Sequence, residues 1–430
     1  MKLVCFAVGS LAAVACSSPS TQKTGADPVP AQRGEQLRSQ QNQVAAAGTK
    51  TAPAQATKPV APPPDAGPPP PPPITAPPAD QVMAEVDEKD VAKGKWWKFG
   101  GTYFRVWGTT ATGSQPKSVC VSHDGKRVYV TNTGYHDHHN VSRFDPITLK
   151  EEAYDKFPGN AIESMVSPDD SVVWVSNFYH KEVLELDGES LEVKRRFSVQ
   201  GMPKHFDITP DHKTLWISNW ASGTTSIVDL ASGKAVEHVE VGKQPRGTAV
   251  LNSGKKVYVT NFGSHSVSVI DAATHKVIKN IETNCRAPRH ADVTADDTVL
   301  VTCYGGHELL VIDSDKDEIV RRLDVGDGPK TVEISKDQRF AYTADYRGGT
   351  MSMVDLKTWE VLIVPLPTVK TSGLAVTDDD RRIYATGWSA RNLMVIERLM
   401  PGDQPVAEHG PMRAGKHCWQ MPKSDCSKYP

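Results

Sequence analysis

From about residue 103 the chain alternates apolar residues with polar or small ones in runs of five to seven, without the three-to-four spacing of an amphipathic helix. The runs are rich in Val, Ile, Tyr and Thr. Asp, Pro and Gly separate them, so they read as short strands joined by tight turns. The run Val-Tyr-Val-Thr-Asn at 128–132 has close variants ending at Asn177, Asn219, Asn261, Cys303, Asp345 and Gly387, spaced by 45 residues once and by 42 five times. A second series is stricter: Asp145, Asp187, Asp229, Asp271, Asp313, Asp355 and Glu397 recur every 42 residues. A fixed period of this size marks a repeat architecture.

Each unit holds four runs, in the fourth unit 247–251, 257–261, 266–271 and 276–282. Four antiparallel strands in each of seven units predict an all-β fold, a seven-bladed β-propeller. The seventh unit offers only three strands, 373–377, 383–387 and 393–397, before Pro401. The missing fourth has a candidate at the other end, the orphan run 104–109, which is expected to pair with 393–397. Closure of this kind removes the sheet edge that an open ring would expose. The strict Asp series precedes x-x-Ser/Thr, where a short carboxylate can accept backbone N–H groups of its own turn; that role needs no catalysis.

The termini differ in composition. Met1-Lys2 followed by an apolar run to Ala15 is too short to remain as a membrane span and reads as a signal peptide, residues 1–15. Ala13-Val14-Ala15-Cys16 resembles a bacterial lipobox, with Ala13 where Leu is usual, so cleavage before Cys16 and lipidation of its thiol are expected. The plain alternative is cleavage by an ordinary signal peptidase. Residues 16–93 are rich in Ala, Gln, Pro, Thr and Ser, including the proline run 68–73; they cannot bury a core and should form a disordered, partly stiff spacer. The propeller is then expected over 94–398, with a tail at 399–430. These features predict an exported protein, lipid-anchored to the outer membrane with its body on the periplasmic or cell-surface side.

The tetrapeptide Tyr-Val-Thr-Asn at 129–132 and 258–261, with its register-matched variants, resembles the YVTN family of β-propeller repeat proteins over roughly 300 residues. The resemblance implies the seven-bladed fold and an exported, cell-surface or periplasmic setting. It leaves function open, because related seven-bladed rings include sugar lactonases and haem or copper enzymes.

A formal charge of −2 gives no general bias toward polyanions, so no nucleic-acid partner is expected, and the membrane is expected to be met only through the lipid. The chemistry should lie on the face where the loop into each first strand meets the loop after each second strand. One insertion interrupts the internal period there, and it carries His136, His138 and His139, which could hold a divalent metal; a solvated polar loop is the alternative. No other cofactor is required. His265 and His307 are counterparts of His139 in other repeats. On the same face a proline is followed by a base at Lys117, Lys204, Arg246, Arg289 and Lys330, a set that would favour a small anionic ligand.

Two of these loops continue as His205-Phe206-Asp207 and His290-Ala291-Asp292. Period-two geometry sets each His and its Asp on one strand face, within hydrogen-bonding range of each other. Such pairs are candidate acid–base catalysts, or else ties between blades. Cys285 and Cys303 fall at one end of blade five and could bridge, and Cys418 and Cys426 could form a second bridge in the tail. Cys120 is left over. These readings predict a monomeric, envelope-tethered binding or scaffold propeller that recognises a protein partner or small anion. The alternative is a lactonase-like hydrolase or metal-dependent enzyme at the channel mouth.

Overall fold

A computed structural model describes residues 89, 96–134 and 139–403. The signal segment, Cys16, most of the Pro-rich stretch, Cys418 and Cys426 lie outside the described residues, as do His136 and His138. No helix among the described residues is long and apolar enough to cross a membrane.

The described chain is a seven-bladed β-propeller: six four-stranded antiparallel sheets follow in sequence, and a seventh joins the two ends of the fold. Blade four shows the pattern, with strands Pro245–Val250, Lys256–Asn261, Ser266–Asp271 and Lys276–Glu282 hydrogen-bonded in that order. First strands of neighbouring blades touch one another, so they form the inner wall of the ring. The second strand explains the quoted motif. Val257 and Val259 pack toward blade three while Tyr258 packs toward blade five, because successive side chains of a strand point to opposite faces. The core is accordingly a ring of seven apolar clusters, one at each blade junction.

The ring closes through Thr102–Ala111, which pairs with Asn392–Arg398 as an outer strand of the seventh blade, Thr110 opposite Leu393 and Phe104 opposite Arg398. Phe104 is fully buried, its ring 5.6 Å from that of Phe340 in blade six. Glu397, the one Glu of the strict carboxylate series, accepts from Arg105 Nε at 2.7 Å and so serves the closure. Its Asp counterparts serve their own turns: Asp187 accepts from Ser190 N at 2.9 Å, and Asp271 from Thr274 N at 2.8 Å. A short strand absent from the sequence reading, Trp97–Phe99, folds back on Thr102–Ala111 and gives this blade five strands. Its two-residue turn, Gly100-Gly101, needs positive φ at both positions (55° and 78°), which glycine adopts without steric cost.

One local feature positions the site. In every first strand the pairing slips by a residue just after the strand begins: Pro203 faces Asn219, yet Phe206 faces Ile217. The same bulge recurs in the other six blades. A bulge inserts one unpaired residue and re-aims the side chains beside it.

Candidate functional site

In a regular strand Lys204 and His205 would point to opposite faces. The bulge brings both to the wall of the central channel, and it does the same for Arg289 with His290 and for Lys330 with Thr331. All five bases anticipated in the sequence, Lys117, Lys204, Arg246, Arg289 and Lys330, therefore line one basin of about 380 Å³ at the channel mouth.

A second series shares this mouth. Phe178, Trp220, Phe262, Tyr304, Tyr346 and Trp388 follow the second strands of blades two to seven, and each is half-buried. Trp220 to Phe262 is 5.5 Å between ring centroids, and the next three steps are 6.3, 6.3 and 6.2 Å. Bases lie against these rings: Lys204 Nζ is 3.8 Å from the Phe178 centroid, Arg246 is 4.5 Å from Trp220 and 4.7 Å from Phe262, and Lys330 is 4.8 Å from Tyr346. Sequence reasoning that follows the Asn column overlooks the column beside it. Its signal was present: the residue after that column is aromatic in six repeats of seven, at a constant spacing of 42, with Thr133 the exception.

The bases are not equally answered. Lys117, 6% exposed, is paired with Glu163, and Lys330, 5% exposed, donates to Ser372 Oγ. Lys204 is 8% exposed, and neither it, Arg246 nor Arg289 has a side-chain hydrogen bond or ion pair among the described residues. Arg246 Nε is buried without an acceptor. An aromatic face stabilises a cation by about 0.5–2 kcal/mol, less than burial beside other cations costs. Burial first, then the charges of Lys117, Arg246 and Arg289, push Lys204 down to about 5. Burial likewise lowers Lys117 to about 8, Arg289 to about 10 and Lys330 well below its ordinary range. Burial opposes ionisation of Glu163, yet Lys117 and His205 hold its carboxyl well below the ordinary range, so it stays an anion. One carboxylate stands against five bases.

Beneath the bases the side chains of Glu163, Lys204, His205, Arg246, Arg289, His290 and Lys330 leave only about 10 Å³. A lower chamber of about 460 Å³ follows, lined among others by Asp207, Asp292 and Glu333. Here the structure corrects the sequence reading. His205 and Asp207 do share the chamber wall, as do His290 and Asp292, but neither His bonds its Asp. His205 Nδ1 meets the Thr248 carbonyl at 3.1 Å, and Asp207 accepts from Val250 N at 2.8 Å. His290 Nδ1 accepts from Val332 N at 3.4 Å, and Asp292 from Ile334 N at 2.9 Å. The reason is that a first strand is the inner edge of its sheet, and its edge N–H groups lack ladder partners and take acceptors from the preceding blade. The two imidazoles instead meet edge to face, with ring centroids 4.3 Å apart. Burial raises Asp207 to about 7 and Asp292 to about 6.

The remaining candidates fall elsewhere. His139 Nδ1 lies 3.2 Å from Glu151 Oε1, and its ring stacks on Tyr154 at 3.6 Å. Its counterparts His265 and His307 occupy left-handed turns (φ 58° and 57°), where their Nδ1 atoms accept from Ala287 N and Gly328 N. Among the described residues, the group of His, Cys and acid side chains close enough to hold a metal is Cys285, Cys303 and Glu308. Two of its three ligands are consumed, since Cys285 and Cys303 form a disulfide with Cα atoms 6.0 Å apart. That bond ties the second strand to the incoming loop, as Asn261 does by accepting from Gly242 N at 3.1 Å. Cys120 is half-buried and free, with burial raising its thiol to about 12. A cleft of about 420 Å³ on the opposite face, beside blades one and seven, carries charges that are already paired, as in Arg381–Asp403 and Arg398–Asp337.

Residues 103–255 match the YNCE-like beta-propeller family. Among solved structures the chain is similar to Kuenenia stuttgartiensis hydrazine synthase, with 18% identity over 66% of this chain and 95% of that one, at a TM-score of 0.58. At that identity the likeness carries the fold alone. No curated protein matches the chain.

Proposed function

We propose that the protein is a binding propeller that captures an anionic ligand at the cationic, aromatic-rimmed mouth of its channel. One observation carries the reading: on three consecutive blades Lys204 is buried and Arg246 and Arg289 are half-buried at the basin, and none of the three side chains has a hydrogen bond or ion pair among the described residues. A protein that needed the bases only for packing would gain by pairing or replacing them, because a cluster of unpaired bases sheds protons or holds unpaired charge out of water, and either costs stability. In this reading the lipid on Cys16 and the Pro-rich stretch hold the propeller away from the outer membrane, on its periplasmic or cell-surface side, as suits a monomeric receptor for small solutes. The acid–base alternative loses support at His205–Asp207 and His290–Asp292, where each Nδ1 and one oxygen of each carboxyl bond the next blade and no His bonds its Asp.

Isothermal titration of the full chain with sulfate, phosphate and citrate tests the reading. At least one of these should bind, and the triple variant Lys204→Gln, Arg246→Gln, Arg289→Gln should bind it at least about tenfold more weakly, with a steeper loss in low salt than in high salt. Equal binding by wild type and a folded triple variant, or no binding of any of the three anions, would exclude it.

A further inference from the structure

The arrangement of the bases says more than their sign. The aromatic rings stand 5.5 to 6.3 Å apart from one blade to the next, and the unanswered bases come from three consecutive blades, each within 5.5 Å of one of these rings. A single acidic group can meet one or two of them and leaves the rest unpaired. Below the basin of about 380 Å³, the side chains of His205, His290 and their neighbours enclose a cavity of only about 10 Å³, so the basin is where there is room for a ligand beside the bases.

Resting on the proposed anion capture, we infer that the ligand is a compact polyanion, with two or more acidic groups spaced to bridge the bases of adjacent blades. Its class is that of condensed phosphates and polycarboxylates, and simple monoanions fall outside it.

Protonation follows from the same geometry. The groups facing Lys204 are Lys117, Glu163, Arg246 and Arg289, with Phe178 and Trp220 against its ammonium. Lys330 faces the same bases and Glu163, with Tyr346 and Trp388 against it. His205 and His290 close the floor. Glu163 alone among these is an anion, and it is committed to Lys117. The empty basin therefore holds its lysines short of full protonation, and a polyanion that supplies the missing negative charge draws protons onto them.

Calorimetric titration of the full chain with pyrophosphate, citrate and acetate at pH 8, each in two buffers of different ionisation enthalpy, tests this. Pyrophosphate or citrate should bind at least about a hundredfold more tightly than acetate, with uptake of about one proton or more per molecule bound. The variant Lys204→Arg, which puts a fixed charge where burial strips the lysine of its proton, should reduce the proton uptake while retaining polyanion binding. Binding of acetate as tight as that of pyrophosphate and citrate, or polyanion binding without proton uptake, would overturn the inference and leave anion capture standing. If none of the three ligands binds, the inference fails, and the reading beneath it fails with it unless sulfate or phosphate binds.

Discussion

Lys204, Arg246 and Arg289 differ from Lys117 and Lys330 in one respect: their side chains have no hydrogen bond or ion pair among the described residues, whereas Lys117 pairs with Glu163 and Lys330 donates to Ser372. Glu163 is thus the internal competitor of any bound anion. Replacing it as Glu163→Gln removes that competitor and should tighten citrate binding by about threefold to tenfold at pH 7, read by calorimetry. A weaker affinity would mean that Glu163 organises the bases. Asp207 makes a separate prediction in the lower chamber. Its folded carboxyl titrates near 7 and an unfolded one near 4, so between these values the folded state holds a proton the unfolded state has lost. Stability from this group therefore falls as pH rises through that window, opposite in sign to the contribution of the lysines with lowered pKa. Asp207→Asn should gain on wild type by about 2–3 kcal/mol between pH 5 and pH 8, measured by urea unfolding at each pH. A gap that stays constant with pH would show that the carboxyl titrates normally. The bases were legible in the sequence because each follows a proline at a fixed register. The pairing of His205 with Asp207 was misread because strand geometry gives the face a side chain takes and says nothing of a neighbouring blade's unpaired N–H groups.

At the level of elements, three devices build the site. The bulge turns two consecutive side chains to the channel at Lys204-His205, Arg289-His290 and Lys330-Thr331, and a base follows the opening proline in five bulged strands. A bulge leaves no trace in hydrophobic alternation when both flanking residues are polar, so the sequence showed the bases and hid what aims them. The link between second strand and incoming loop is made by Asn in some blades and by the Cys285–Cys303 disulfide in blade five. The substitution of Cys303 into the Asn column made that link readable. The closing strand is the third device. Phe104 contributes a fully buried ring to the junction of blades six and seven, so Phe104→Ala should cost about 3–5 kcal/mol in chemical denaturation. A loss below about 1 kcal/mol would indicate that closure at this strand adds little. Strand Trp97–Phe99 escaped the sequence reading because three residues are too few to show a period.

At the level of the molecule, the 42-residue period settled the architecture before any side chain was considered, since seven equal sheets with one strand displaced to the other end can close in few ways. The period could not show that the ring would divide its channel into a cationic basin and an acid-lined chamber. That division depends on which layer of the inner strands each residue occupies, and therefore on the bulge. Anion capture at the basin is most directly tested by anomalous diffraction at the tungsten edge from crystals of the full chain grown with tungstate. The account predicts a peak within hydrogen-bonding distance of Lys204, Arg246 or Arg289, above the neck formed by His205 and His290. A basin without a peak at saturating tungstate, or peaks confined to the rim of the blades, would contradict it.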